Sequence, residues 1–324
     1  MDSLRSDYSI SARELDTLLS VTPQGMHHLI KSMDIHTELK KNKKYIPPAE
    51  VRRLFESRGY NYNKEVISFS VVKGGVGKTS LSHSFAIRAS QYGAKVLVID
   101  IDQQANLTQA FGIDEDDLPT IFEVIQNNIS LEDSILNITS NLHLIPSSMN
   151  MSFLDRFIQL NQENIATVLK DRTDKALNEL GYDYVIFDCP PAISSVTAAA
   201  TMASDRIIMP VTPMKFSLQG LKASFEELEN LEKKFKKKDL HKNIIFNRFD
   251  ARKTSSNEYL KGLAGDSSYN QFMMNCFIRE NSELENCINQ KHSVFDYNKK
   301  NNAREDLDLF TRDVMGLNES VFKQ

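Results

Sequence analysis

The stretch VKGGVGKT, residues 72–79, decides the fold of this chain. It follows the apolar run VISFSVV at 66–72 and precedes SLSHSFAIRASQYG at 80–93, a run typical of a helix. A glycine-rich loop between a strand and a helix binds phosphate, because the free backbone N–H groups of the helix N-terminus point at the anion. The stretch therefore predicts a phosphate-binding loop, although Val72 stands where the common pattern has its first glycine.

The residues of this loop suit the phosphates of a nucleotide. Its glycines let backbone N–H groups approach phosphate oxygens without a Cβ clash. Lys78 is expected to reach the β- and γ-phosphates, and the Thr79 hydroxyl to ligate Mg²⁺. The alternative, a plain glycine-rich turn, is disfavoured because the strand, lysine, hydroxyl and helix are all in place. The predicted phosphate-binding residues are Gly74, Gly75, Val76, Gly77, Lys78, Thr79 and Ser80.

Two acidic residues mark the end of the next apolar run. Asp100 ends KVLVID at 95–100, and Asp102 follows two residues later. Alternation along a strand puts both side chains on the same side, and parallel strands end at the same sheet edge as the phosphate loop. One carboxylate can therefore hold the Mg²⁺ shell while the other orients an attacking water. The alternative is that both acids cap the following helix.

A third acidic residue ends the run YDYVIFD at 182–188 and is followed by two prolines. An acid in this position is the second half of a nucleotide-hydrolysing site, where it contacts Mg²⁺, usually through water. We expect this role for Asp188. Pro190 and Pro191 cannot continue a helix, so they are expected to fix the loop near the γ-phosphate.

Continuous apolar runs alternate with helical stretches from residue 66 onward. Such runs are typical of parallel strands that are covered on both faces. The pattern predicts a doubly wound, mainly parallel α/β sheet. The predicted strands are 66–72, 95–100, 142–147, 182–188, 206–212, 243–249 and a less apolar one at 273–278.

Residues 1–62 carry a different pattern, which predicts a small domain before a main domain at 63–324. Helices are expected after Ser11, from Pro23 and from the double proline at 47–48, and a Lys-rich hairpin precedes the third helix. This is the layout of a winged helix-turn-helix, which binds DNA. The alternative is a helical cap on the main domain. The DNA-binding candidates at the wing tip are Lys40, Lys41, Lys43 and Lys44.

The composition excludes several classes of protein. The chain has 324 residues and a net charge of −4, so any DNA affinity should come from local patches. No apolar run reaches the roughly 18 residues that cross a membrane, and the N-terminus has no apolar signal core. Three cysteines, an odd number without metal-ligand spacing, fit reduced thiols. We therefore expect a cytoplasmic protein.

Three motifs together resemble the ParA/MinD ATPases. KGGVGKT, with its extra Lys73, resembles their deviant Walker A motif, DIDQQAN their switch segment and FDCPP their Walker B segment. The segments PVTPMKFSLQGL, FNRFDAR and VFDYNKKNNAREDLDLFTRDV are also similar, and the resemblance covers about residues 66–315. It implies a P-loop ATPase that uses ATP and Mg²⁺ and forms a homodimer with ATP sandwiched between the subunits.

The resemblance also implies roles for single residues. Lys78 would hold phosphates in its own subunit, and Lys73 would reach the partner's phosphates, comparable in logic to an arginine finger. Asp102 would organise the attacking water. The implied Mg²⁺ residues are Thr79, Asp102 and Asp188, the switch residues are Asp100, Gln104, Asn106, Pro190 and Pro191, and the adenine-side residues are Asn247 and Arg248.

The chain departs from the family's pattern at three positions. Gln103 replaces a proline in the switch segment. Glu280 and Glu283 stand where the family often has arginines for non-specific DNA binding. The remaining candidates for that role are Arg252, Lys253 and Arg279, together with a lysine run at 233–238.

The implied function is DNA partition. An ATP-bound dimer would hold nucleoid DNA without sequence preference, and a ParB-like activator on a plasmid or chromosome would stimulate hydrolysis. The N-terminal domain would add operon autorepression or dimerisation. Alternatives are an ATPase that positions a non-DNA cargo, a MinD-like membrane-associated ATPase and an electron-transferring iron protein. The tail GLNESVFKQ is too short and weakly basic for a membrane anchor, and the cysteines lack iron–sulfur spacing.

Overall fold

The computed structural model contains two sheets with helices packed around them. The structure describes residues 8–40, 42–114, 118–126, 128–296, 301–317 and 322. The strands are β1 Ile10–Ser11, β2 Glu38–Lys40, β3 Lys43–Ile46, β4 Glu65–Phe69, β5 Val96–Asp100, β6 Leu136–Asn137, β7 Leu142–Ile145, β8 Tyr184–Asp188, β9 Arg206–Val211, β10 His241–Phe249 and β11 Met273–Arg279. The α-helices are α1 Ala12–Leu18, α2 Pro23–Ser32, α3 Pro48–Ser57, α4 Lys78–Gln91, α5 Asn106–Ala110, α6 Ile121–Ile125, α7 Ser152–Leu160, α8 Lys170–Asn178, α9 Ser195–Ala203, α10 Lys215–Phe235, α11 Thr254–Gly265, α12 Ser282–Asn289 and α13 Asn302–Met315.

The larger sheet has the order β11–β10–β9–β4–β8–β5–β7–β6, and its strands are parallel except β6, which is antiparallel to β7. β4, β5 and β8 are buried along their whole length, as expected for strands covered on both faces. The predicted strands are all present, as β4, β5 and β7 to β11, so the mainly parallel α/β sheet is confirmed. Because β4 and β5 both pair with β8, the loops that follow these three strands meet at one sheet edge.

Helix α4 starts in the loop after β4 and runs through the middle of the molecule. All of its residues from Leu81 to Gln91 are buried, since the sheet, α5 and α13 surround it. A helix that is buried on every side is typical of the interior of a large domain. Within the described ranges, no helix has both the length and the apolar character needed to span a bilayer.

The smaller sheet lies in residues 8–60 and has the antiparallel order β1–β3–β2. As the helix-start signals predict, α2 begins at Pro23 and α3 at Pro48, and the Lys-rich segment forms the β2–β3 hairpin. Strand β1 is not among the sequence predictions, because two residues show no periodicity. Of the wing lysines, Lys41 lies outside the described residues.

The hydrophobic core is continuous between these N-terminal residues and the larger sheet. Phe55 on α3 packs its ring against Tyr92 at 5.9 Å and against Phe322 at 5.0 Å between ring centroids. The Tyr60 hydroxyl donates a hydrogen bond of 2.8 Å to the carbonyl oxygen of Met315. The proposed boundary between residues 62 and 63 therefore separates the two sheets, but the hydrophobic core continues across it.

A buried group of charges crosses the same boundary. Arg88 on α4 has a side chain that is only 3% exposed, and it pairs with Asp308 of α13 at 2.6 Å and with Glu14 of α1 at 3.0 Å. Arg304 also pairs with Glu14, at 2.7 Å, and the Tyr92 hydroxyl donates to Asp308. Burial alone would lower the pKa of Arg88, but these acidic neighbours raise it above its ordinary value. We call these five residues the Arg88 cluster.

We expect Asp308→Asn to lower the free energy of unfolding by about 3 kcal/mol, because it leaves the buried guanidinium of Arg88 short of negative charge. Urea denaturation of the full chain measures the effect. The control is Asp174→Asn, since Asp174 pairs with Lys170 at 2.9 Å with both side chains nearly half exposed. That change should cost less than about 1 kcal/mol. Equal losses in the two variants would contradict a structural role for the Arg88 cluster.

Candidate active site

The phosphate loop connects β4 to α4 and depends on its glycines. Gly75 and Gly77 have φ angles of +72° and +96°, in the left-handed region that favours glycine. A Cβ on Gly77 would lie 2.3 Å from Nδ2 of Asn247. That amide donates a hydrogen bond of 2.8 Å to the carbonyl oxygen of Val76. Asn247, expected on the adenine side, therefore also fastens the loop to the end of β10.

Lys78 lies with its ammonium inside the loop. The residue is 7% exposed, and its Nζ donates to the carbonyl oxygen of Lys73 at 2.9 Å. Burial lowers the pKa of Lys78, and the nearby carboxylate of Asp188 opposes this effect. Charge-assisted hydrogen bonds to phosphate oxygens are stronger than bonds to a neutral carbonyl. Lys78 is thus placed to bind an anion that enters the loop.

Asp188 lies beside the first turn of α4. Its carboxylate accepts from the Thr79 hydroxyl at 2.7 Å and from the Ser82 hydroxyl at 3.1 Å. Asp100 is the register partner of Asp188 on the neighbouring strand. Burial raises the pKa of Asp188, and the charge of Asp100 raises it further. The ammonium of Lys78 lowers the pKa of Asp188 and so opposes this repulsion, as a bound cation beside Asp188 would.

Asp100 is fully buried and anchors the switch segment. Its carboxylate accepts from the backbone N–H and the hydroxyl of Thr108 at 2.9 and 2.8 Å, and from the backbone N–H of Asp102 at 3.1 Å. Ser147 joins the same network, since its N–H donates to the Thr108 hydroxyl and its hydroxyl donates to the Asp102 carbonyl oxygen. Neither Thr108 nor Ser147 is among the sequence predictions. The sequence signal that could have identified them is a polar residue at the end of an otherwise buried segment.

Asp102 differs from Asp100 in its surroundings. It is partly exposed, and its carboxylate accepts from the backbone N–H of Gln104 at 3.0 Å. Of the two acids, Asp102 lines the cavity above the phosphate loop, whereas Asp100 lies beneath it. Asp102 therefore has an accessible carboxylate, whereas the carboxylate of Asp100 positions the backbone of Asp102.

Two adjoining cavities open over the loop, and both are lined by Gly77, Ser80 and Arg248. The first, of about 540 Å³, brings together many of the predicted residues: Gly74, Gly75, Gly77, Lys78, Thr79, Ser80, Asp102, Gln104, Asn106, Pro191 and Arg248. The second, of about 440 Å³, is lined by Asn247 and by the loops after β10 and β11. Volumes of this size accommodate a small-molecule ligand such as a nucleotide. The residues predicted for the nucleotide site that line neither cavity are Lys73, Val76, Asp100, Asp188 and Pro190.

The oxygen atoms near the loop suit a magnesium ion. Thr79 supplies a hydroxyl, and Asp102 and Asp188 supply carboxylates. Mg²⁺ prefers oxygen ligands of this kind and usually combines one or two carboxylates with phosphate oxygens and waters. The three residues predicted from the sequence therefore fit this ion.

The basic candidates for DNA binding in the main domain pair with acids. Arg252 pairs with Asp250 at 2.9 Å, and its side chain is 90% exposed. Lys253 pairs with Glu280 at 2.6 Å. Arg279 makes a bidentate pair with Asp306 and also contacts Glu305 at 3.6 Å. These three cations stand around the second cavity, where neighbouring acids offset their charge.

The wing lysines lie on the β2–β3 hairpin. Lys40 pairs with Glu38 at 2.8 Å, and Lys43 is exposed. The ammonium of Lys44 lies 3.4 Å from Nδ1 of His27 on α2. The hairpin and the exposed side of α2 thus form one surface.

Comparison with known proteins identifies the family. A family model described as an AAA domain matches residues 64–242, more than half of the chain. The cell division protein PomZ of Myxococcus xanthus is 31% identical over 228 residues, which cover 69% of each chain. The sporulation initiation inhibitor Soj of Bacillus subtilis is 29% identical over 58% of this chain and 74% of its own. The chain belongs to the ParA-type P-loop ATPases.

A solved structure supports the same assignment. The apo form of McdA from Cyanothece is 26% identical, with a TM-score of 0.66 over 76% of this chain and 98% of its own. This family membership agrees with the phosphate loop, the paired acids and the parallel sheet described above. In a P-loop ATPase the loop lysine holds the phosphates.

We expect Lys78→Ala to weaken ATP binding at least about 100-fold, because it removes the one buried ammonium seen inside the described part of the loop. Titration calorimetry with ATP and Mg²⁺ measures the affinity. Lys222→Ala is a charge-matched control, since Lys222 is 70% exposed on α10. Tight ATP binding by the Lys78 variant would contradict the phosphate-loop assignment.

Proposed function

We propose that the chain is a partition ATPase in which Mg²⁺ and ATP hold two copies together and hydrolysis releases them. The observation that carries this proposal is the second lysine of the loop. Lys73 precedes the glycines, and its carbonyl oxygen holds the ammonium of Lys78. One subunit needs a single lysine for its own phosphates, so the second is assigned to the phosphates of the partner subunit. A cation supplied in this way stabilises charge only in the assembled dimer.

Hydrolysis is assigned to the acids at the sheet edge. Asp102 is accessible at the mouth of the first cavity, where its carboxylate orients the attacking water. Asp100 and Thr108 hold the backbone beneath it. Thr79, Asp102 and Asp188 would hold Mg²⁺, which would supply positive charge to neutralise the phosphate oxygens.

Three exposed apolar side chains support the binding of a second copy of the chain beside the site. Ile193 follows the Pro190–Pro191 turn, and Met149 follows Ser147 of the switch network. Ile193 is 53% exposed, Met149 68% and Phe153, one turn farther along, 56%. Exposed apolar side chains around a polar site are typical of an interaction surface. In the proposed dimer they would contact the partner subunit beside its nucleotide.

The N-terminal domain, with its helices and its small sheet, is assigned as a winged helix-turn-helix that binds DNA. Helices α1 and α2 are joined by a short turn, and the β2–β3 hairpin occupies the position of the wing. The exposed residues of α2 include Gln24, His27, His28 and Lys31, which can contact bases or phosphates. Because Lys44 contacts His27, the wing would bind beside the same groove. Such a surface would support operon autorepression.

We assign to the main domain the binding of nucleoid DNA without sequence preference. A ParB-like protein is assigned the role of activator. Backbone phosphates would be bound in a salt-dependent way. The acid partners of Arg252, Lys253 and Arg279 favour a second candidate, an ATPase that positions a non-DNA cargo. The relatives PomZ and Soj are named for cell division and for sporulation, and these names are compatible with a DNA cargo and with a non-DNA cargo. A cytoplasmic, nucleoid-associated location follows from the first candidate.

We expect Lys73→Ala to retain ATP binding and to weaken the ATP-dependent dimer at least about 100-fold, because the lysine acts on the phosphates of the other subunit. Sedimentation velocity with a non-hydrolysable ATP analogue measures the assembly, and calorimetry measures the ATP affinity. Lys222→Ala serves again as the control. An unchanged dimer in the Lys73 variant would overturn the proposed function.

We expect alanine at Lys40, Lys41, Lys43 and Lys44 together to weaken duplex DNA binding at least about tenfold at moderate salt, with a shallower salt dependence. Fluorescence anisotropy at several salt concentrations measures both. The comparison variant replaces four exposed lysines at the end of α10 and just beyond it, which form the competing candidate surface: Lys233, Lys234, Lys236 and Lys238. Equal losses in the two quadruple variants would count against the wing as the DNA-binding surface.

A further inference from the structure

Helix α10 approaches the start of the phosphate loop at Gly220. A Cβ on Gly220 would lie 2.7 Å from the carbonyl oxygen of Val72 and 2.9 Å from Cβ of Lys73. Real Cβ atoms essentially never come this close to other heavy atoms, so any larger residue would push the loop away. The helix therefore contacts the loop at the two residues that distinguish it from an ordinary phosphate loop.

Ser224, one turn later on the same helix, holds the same backbone. The N–H of Val72 donates to the Ser224 hydroxyl oxygen at 2.9 Å, and that hydroxyl donates to the Gly220 carbonyl oxygen at 2.8 Å. Ser224 is 6% exposed, so these bonds are shielded from water. Losing one of them would leave a shielded polar group without its partner, which costs more than losing an exposed bond.

The backbone of Lys73 is also fixed from inside the loop. Its N–H donates to the carbonyl oxygen of Val71 at 2.7 Å, which makes a tight turn at Val72. Its own carbonyl oxygen accepts from the ammonium of Lys78 at 2.9 Å. The start of the Lys73 side chain is therefore set by α10 on one side and by Lys78 on the other.

We propose that Gly220 and Ser224 are positioning residues that aim Lys73 at the partner's phosphates. The inference rests on the proposed ATP-sandwiched dimer. A long lysine side chain reaches a phosphate with little loss only when its backbone is already placed, since small misplacements of a reacting or binding group are costly.

The test compares Gly220→Ala with Lys73→Ala and Gly262→Ala in the full-length chain. Gly262 is a matched control because it also lies in a helix, α11, and a Cβ there would meet nothing within 4 Å. Calorimetry measures ATP affinity, and sedimentation velocity with a non-hydrolysable ATP analogue measures the dimer dissociation constant. We expect Gly220→Ala to weaken the dimer at least about tenfold while ATP affinity changes less than about threefold, and Gly262→Ala to change neither.

Two further variants make the result decisive. Ser224→Ala removes both hydrogen bonds of this hydroxyl without adding bulk, so it should weaken the dimer about fivefold and leave the fold intact. Combining Gly220→Ala with Lys73→Ala should weaken the dimer no further than Lys73→Ala alone, because both act through one side chain.

Three outcomes would overturn the inference: an unchanged dimer in Gly220→Ala and Ser224→Ala, an equal loss of ATP affinity and dimerisation, or additive losses in the double variant. A normal dimer in Lys73→Ala would instead overturn the proposed function. The failure of the inference and the failure of the proposed function are thus distinguishable.

Discussion

Helix α4 is the constraint on which both parts of the molecule depend. Its first residue, Lys78, belongs to the phosphate loop, and Arg88, about 15 Å along the helix axis, belongs to the cluster that joins α1 and α13. Protein interiors are close-packed, so α4 cannot shift at one end without disturbing contacts along its length. The nucleotide site and the N-terminal sheet are therefore held in one packed body.

This packing affects how the N-terminal residues can be studied. Phe55 and Tyr60 cover Tyr92, Met315 and Phe322 of the main body, so removing residues 1–62 would expose apolar surface. A loss of DNA binding after such a deletion would have two explanations, a lost surface or a damaged core. Substitutions of the hairpin lysines leave the contacts of Phe55 and Tyr60 in place, and they separate the two explanations.

The sequence predicted the features that have a local signal. The strands were recognisable as apolar runs, and the loop was recognisable because Gly77, Lys78 and Thr79 are consecutive. Contacts between distant segments leave no such signal: Val72 and Ser224 are 152 positions apart. The same holds for Thr108 beneath Asp102 and for the amide of Asn247 on the loop, which depend on how strands pair.

Charge is a second property that the sequence alone predicted only in part. Arg252, Lys253 and Arg279 are basic in any list of residues, yet each faces an acid in the folded chain. Phosphate binding by these side chains would have to compete with carboxylates that are already in contact. Among the hairpin lysines Lys40 also pairs with an acid, Glu38, but Lys43 is exposed and Lys44 contacts His27. The proposal for DNA binding therefore favours the hairpin, even though it belongs to the smaller sheet.

The two lysines of the loop are linked through one hydrogen bond, from the ammonium of Lys78 to the carbonyl oxygen of Lys73. A phosphate that takes over this ammonium removes the bond, because a charged acceptor competes better than a carbonyl. The backbone of Lys73 then keeps its contacts with Gly220 and Ser224 on α10. The backbone N–H of Val72 anchors this side of the loop on Ser224, so the segment before the glycines supports the second lysine.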